Sequence, residues 1–198
     1  MTFDLLTALA TFALVTVITP GPNNLMLMAS GANFGFRRTV PHMLGITLGF
    51  PCMVFFVGIG VMQVFDLWPI SYTLLKILSV AYLLYLAWKI ANAAPPKQAN
   101  AEGRPLSFLQ SAAFQWVNPK AWSMALSAIT LYATGRNLES VLWVSAVYVA
   151  VSLISTTSWT VIGQELRRFL KNPERLRIFN LVMAGLLVAT LIPVLWPA

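Results

Sequence analysis

Charge is scarce in this sequence: only 10% of its 198 residues are charged, against 58% hydrophobic. A soluble domain carries about 25% charge, so this chain cannot clothe a water-facing surface, and membrane lipid is its solvent. Cysteine is scarcer still. Cys52 stands alone among apolar residues, which excludes an internal disulfide and a zinc framework, and neither cofactor nor metal is expected. With one histidine, His42, and no Gly-x-Ser-x-Gly elbow, an intramembrane hydrolase lacks its machinery. A phosphate-binding glycine loop is also missing, which argues against an ATP-driven pump. No Lys or Arg precedes Arg37, so a cleaved signal with a basic n-region is not expected and the first helix should be retained.

What the chain has instead is long apolar blocks. A hydrocarbon core of about 30 Å takes about 20 helical residues. Charges, prolines and polar clusters then predict six transmembrane helices at about 3–34, 41–63, 68–90, 107–133, 139–163 and 177–196. The net charge of +7 does not point to nucleic acid, because the basic residues fall in short connections rather than on one folded face. Ten of them lie in the first, third and fifth loops, from Arg37 and Arg38 through Lys89, Lys97 and Arg104 to the Arg167–Arg177 stretch, while loops two and four hold only Arg136. Retention of Lys and Arg in the cytoplasm then puts both termini outside.

The Pro- and Ala-rich stretch at 91–106 divides the chain almost evenly, into a first repeat at 1–90 and a second at 107–198. A shift of 99 residues lays Pro20 on Pro119, Arg37 on Arg136 and Asp66 on Glu165. Each half has three helices, an odd number, so the second inserts upside down relative to the first. The predicted fold is therefore all-α, with two inverted three-helix repeats, as in many secondary transporters.

Both first helices of these repeats are broken at proline motifs. The first break reads Thr19-Pro20-Gly21-Pro22-Asn23-Asn24, and two prolines around a glycine cannot continue a helix. The second reads Val117-Asn118-Pro119-Lys120, with Asn118 a natural N-cap and Pro119 a natural first helical residue. Unpaired backbone at that depth is tolerated only where it is buried in protein or lines a polar cavity. Half-helices starting near Asn24 and Pro119 would aim their positive ends at a shared site suited to a carboxylate. Asn23, Asn24 and Asn118 can take an ammonium through their oxygens and a carboxylate through their NH₂ groups; the plainer reading is that they only cap helix ends.

Two lysines, Lys76 and Lys120, stand in predicted spans away from their ends, where each costs about 2.5–3.5 kcal/mol unless it reaches water or a partner. Lys120 is deepest and is assigned to the cavity. Lys76 is open to a snorkelling role as well as a supporting one. Asp4, Asp66, Glu102, Glu139, Glu165 and Glu174 all fall at span ends or in loops, so if protons drive the cycle the carrier is Lys120, His42, a carboxylate at a helix end or the substrate itself. His42, beside Arg37 and Arg38, is expected at an interface. Trp68, Trp88, Trp143, Trp159 and Trp196 stand mostly near helix ends as a headgroup belt. Gly45 and Gly49 form a Gly-x-x-x-Gly pattern that serves close packing within one subunit or a homodimer.

Together, Thr19-Pro-Gly-Pro-Asn-Asn24, Leu44-Gly-Ile-Thr-Leu-Gly49, Ala81-Tyr-Leu-Leu-Tyr-Leu86 and Asn118-Pro-Lys120 resemble the LysE/RhtB superfamily of amino-acid exporters over nearly the whole chain. The basic stretch to Arg177, followed by Phe179-Asn180 and Met183-Ala-Gly-Leu-Leu187, looks like the family's approach to its last helix. The resemblance implies six helices in a bacterial inner membrane, export of amino acids or derivatives, and drive by the proton-motive force. Pro20-Gly-Pro-Asn-Asn24 is similar to the branch exporting cysteine and O-acetylserine; threonine, homoserine and other neutral amino acids are the further candidates. Ser79-Val80 and Ala87 depart from the family's usual glycines and bear on packing of the third helix. The rival reading is a channel or membrane assembly subunit without coupled transport.

Overall fold

The structure is a computed structural model that describes residues 1–60, 67–68, 70–93, 103–133 and 137–195. Asp66, Lys97, Glu102, Arg136 and Trp196, with most of the 91–106 linker, lie outside the described residues. Among those described, every regular element is a helix: α1 (Phe3–Ile18), α2 (Pro22–Phe34), α3 (Phe36–Gly58), α4 (Ile70–Ala91), α5 (Phe108–Phe114), a 3₁₀ turn (Gln115–Val117), α6 (Pro119–Tyr132), α7 (Leu138–Leu166), α8 (Pro173–Ala189) and α9 (Ile192–Leu195).

Local chemistry sets most of these boundaries. Thr2, Asn118, Asn137 and Asn172 each accept a backbone N–H at a helix start, and Pro119 and Pro173 follow two of them. Ser107 and Gln110 close a reciprocal capping box on α5. Between α2 and α3 there is no loop: Gly35, at φ 80°, turns the chain in one residue, a conformation that favours glycine. This corrects the expected start of the second helix from 41 to 36. Pro41 does not block the earlier start, because the carbonyl it leaves unpaired belongs to the exposed Arg37 near the helix end. Arg37 and Arg38 therefore ride on the helix rather than in a loop, and His42 lies inside it.

α3, α4 and α7 are each long and apolar enough to cross a membrane, and α1 with α2 makes a fourth candidate span bent by 57°. α7 packs along α1, α2 and α3; α3 packs in turn on α5 and α6, and α4 packs on α8. Backbones meet directly at two of these seams. A methyl on Gly31 or Gly163 would strike the backbone of Thr160 or Met28 across the α2–α7 seam. Across α3–α5, a methyl on Gly45 would meet Phe108 and Ser111, and one on Gly49 would lie 2.6 Å from the Ala112 Cα. The Gly45-x-x-x-Gly49 pattern is thus used within the subunit. The largest apolar core lies between α1, α3, α6 and α7, where Phe50 meets Tyr148 edge-on at 5.1 Å.

Candidate functional site

The last turn of α1 leaves carbonyls that no helical N–H can reach, and other parts of the chain supply the donors. Asn24 Nδ2 donates to Val17 O (2.7 Å) and to Thr19 O (2.8 Å). From α7, Ser155 Oγ donates to Val17 O at 3.1 Å and Trp159 Nε1 to Ile18 O at 3.1 Å. Lys120, at the start of α6, crosses to the same place. Its Nζ donates to Thr19 O and Thr19 Oγ1, both at 2.8 Å, and to Pro20 O at 3.3 Å, which uses its three protons. An ammonium there also faces the negative end of α1, which favours it.

Gly21 makes room for that crossing. Its φ of −178° is extended backbone open to any residue, but a Cβ would lie 2.7 Å from Lys120 Cδ and 3.0 Å from Nζ. Space, not conformation, requires the glycine. Pro22 then opens α2, and Asn23 pairs with Gln115 through two reciprocal amide hydrogen bonds of 2.8 and 3.1 Å. The two breaks are thereby tied side chain to side chain.

At the second break Asn118 Oδ1 accepts the Lys120 N–H at 3.2 Å and caps α6. Asn118 is 1% exposed, yet its Nδ2 has no hydrogen-bond partner among the described residues, and neither has Ser152 Oγ from α7. Both line one small cavity with Asn23, Asn24, Lys120 and Thr156. Its free space is about 20 Å³, room for about one water. An amino acid does not fit, so this conformation is closed at the centre. The N-termini of α2 and α6 both border the cavity, through Gly21 and Asn23 on one side and Asn118 on the other.

Gly21, Asn23, Asn24, Asn118 and Lys120 are therefore brought together, and Pro20 joins them through its carbonyl on Lys120, whereas Pro22 and Pro119 open the flanking helices without lining the cavity. Lys76 is not among them: it stands exposed on α4 and does not line this cavity. His42 belongs elsewhere too: it lies within α3, 1% exposed, in the wall that also carries Lys89 and Arg104. With the helix starting at Phe36, it stands in the second turn rather than at the start. Sequence reading missed Gln115, Ser152, Ser155 and Thr156, and assigned Trp159 to the headgroup belt, whereas its Nε1 is spent on Ile18 O at the break. Ser152, Ser155, Thr156 and Thr160 recur at three- and four-residue spacing, a polar stripe on one face of an apolar span, and that signal was readable. No trio of His, Cys, Asp or Glu among the described residues could hold a metal.

Apolar helices of membrane-spanning length, with one bent pair broken beside a small cavity that holds buried polar groups, fit a membrane transporter. The chain belongs to the LysE type translocator family, whose profile matches residues 14–191, and is a multi-pass inner-membrane protein. It is similar to the cysteine/O-acetylserine efflux protein of Escherichia coli strain K12, at 34% identity over 193 residues, 95% of this chain and 96% of that one. The protein of the same description from Shigella sonnei strain Ss046 matches to the same extent. No solved structure matches.

Proposed function

We propose that the chain exports a small neutral amino acid or derivative, of the kind the efflux relatives are named for, using the proton-motive force. The substrate sits between the proline breaks, on Pro20, Gly21, Pro22, Asn23 and Asn24 from one side and Asn118, Pro119 and Lys120 from the other. The observation that carries this reading is the pair of buried groups without a partner among the described residues, Asn118 Nδ2 and Ser152 Oγ, in the cavity beside Lys120. An unmet donor at membrane depth is costly, and a substrate carboxylate would accept from it. The substrate ammonium matches the Thr19 and Pro20 carbonyls that Lys120 Nζ now occupies. Opening the site therefore means drawing α6 away from Thr19, which exchanges one ammonium for another.

The architecture proposed is six spans in two inverted repeats, 1–90 and 107–198, joined by a cytoplasmic 91–106 linker. Its support is a pairing that a pseudo-two-fold axis would produce. α7 packs on both halves of the first broken span as α3 packs on both halves of the second, while α3–α7 and α4–α8 pair with their own counterparts. Both termini are placed outside by the loop charges. Cysteine beside Arg37 or Arg104 should then resist an impermeant reagent added from outside; ready labelling overturns the orientation.

The deciding experiment is efflux of preloaded labelled cysteine, O-acetylserine, threonine, homoserine, leucine and lysine from cells producing the protein, with and without an uncoupler. Saturable, uncoupler-sensitive loss of one or a few neutral compounds is expected. Flux that neither saturates nor answers to a counter-gradient would replace this reading by a channel.

A further inference from the structure

A second cavity lies at the end of the bundle that carries Lys89 and Arg104. It has about 320 Å³ of free space, against about 20 Å³ at the centre. Its walls come from α2, α3, α4 and residues 103–106, and are mostly apolar, through Met26, Phe34, Leu86, Ile90 and Leu106. The polar groups in these walls are nearly all spent. Asn33 and Asn180 exchange amide hydrogen bonds of 2.8 and 3.2 Å, and Asn180 also donates to Ala93 O. Ser30 is bonded to Thr39, and Asn92 Nδ2 donates to Trp88 O. His42 is different. Its side chain is buried, lines the cavity, and has no partner for either ring nitrogen among the described residues.

The charges sharing this wall are Lys89 and Arg104, and no described lining residue is acidic. An imidazole N–H left open in a cavity that also carries two cations calls for an anionic oxygen. The apolar remainder suits a short side chain, and a ligand of net positive charge is disfavoured because nothing opposite the two cations receives it. We propose that this cavity is a second amino-acid site, on the cytoplasmic side, in which His42, Lys89 and Arg104 hold the carboxylate of a neutral amino acid before it moves to the centre, and which turns away basic ones. The side on which it opens rests on the orientation proposed above. The site is separate from the centre: it shares none of the residues around Lys120 and stays open while the centre is closed.

Binding of labelled O-acetylserine is measured on the purified full chain in nanodiscs free of anionic lipid. Lys120→Ala, which disables the central site, should keep one binding event. His42→Phe or Lys89→Gln added to it should weaken that event by about tenfold or more, His42→Gln should preserve most of it, and lysine should not compete. In cells, His42→Phe should raise the internal concentration at half-maximal export more than it lowers the maximal rate, whereas Lys120→Ala removes the rate. Unchanged binding in His42→Phe and Lys89→Gln, or competition by lysine equal to that by serine, overturns the second site and leaves the central reading standing. Failure of O-acetylserine, cysteine and serine all to bind the Lys120→Ala chain overturns it as well. A co-purified anionic lipid that Lys89→Gln releases and amino acids do not displace would instead make the cavity a headgroup site. Export abolished by His42→Phe but untouched by Lys120→Ala would sink the central reading and keep this one.

Discussion

The two breaks answer the same problem in opposite ways. At the first, the chain turns by 57° and the carbonyls of Val17, Ile18, Thr19 and Pro20 are satisfied by Asn24, Ser155, Trp159 and Lys120, three of which are more than a hundred residues away. At the second, a 3₁₀ turn carries α5 almost into α6, Asn118 caps the new helix from within, and Trp122 Nε1 returns to Trp116 O at 2.9 Å. The first break is held by other helices and the second largely by itself. A break held from outside is the one whose geometry changes when those helices move. The self-capped break can travel as a rigid piece and carry Lys120 with it.

That contrast can be broken most forcefully at Lys120. Lys120→Ala should reduce export to background while the protein still reaches the membrane in near-normal amount, because the other three donors to α1 remain; export within a factor of two of wild type would dissolve the link between the breaks. Gly21→Ala should lower export several-fold without loss of fold, since its Cβ would meet a flexible lysine chain rather than backbone. Efflux rates set beside thermal stability in detergent separate that outcome from unfolding. Asn24→Ala takes a donor from two carbonyls that each keep one other, so a cost of about 1–3 kcal/mol is expected, read as a lowered melting temperature. Asn118→Ala removes a local cap at about 0.5–2 kcal/mol and should therefore destabilise less than Asn24→Ala, while lowering export through the lost amide. A larger melting shift for Asn118→Ala would invert the assignment of which break depends on its neighbours.

Much of this was legible because it is local. The prolines at 20, 22 and 119, the Asn118 cap and the apolar blocks act within a few residues of where they stand, and their positions translate directly into helix ends. What was not legible is non-local or balanced. Pro41 and the tight Gly35 turn made the start of α3 look later than it is, so His42, expected at the helix start, is found buried in the second turn. Gln115 could not be matched to Asn23 from a spacing of 92 residues, because nothing in a chain written as a line says which turns will touch.

By itself the sequence determined that lipid is the solvent, that helices are the only regular element to be expected, and that two of them must open. Those follow from the cost of charge and of unpaired backbone in hydrocarbon, which no tertiary arrangement can waive. Only the tertiary structure decided which groups close the openings and which are left unmet. Lys120 is spent on the carbonyls that follow α1, while Asn118 Nδ2, Ser152 Oγ and His42 face cavities without a partner among the described residues. Hydrogen bonding there is a matter of ångströms between residues far apart in sequence, and it is fixed when α2, α3, α6 and α7 pack together.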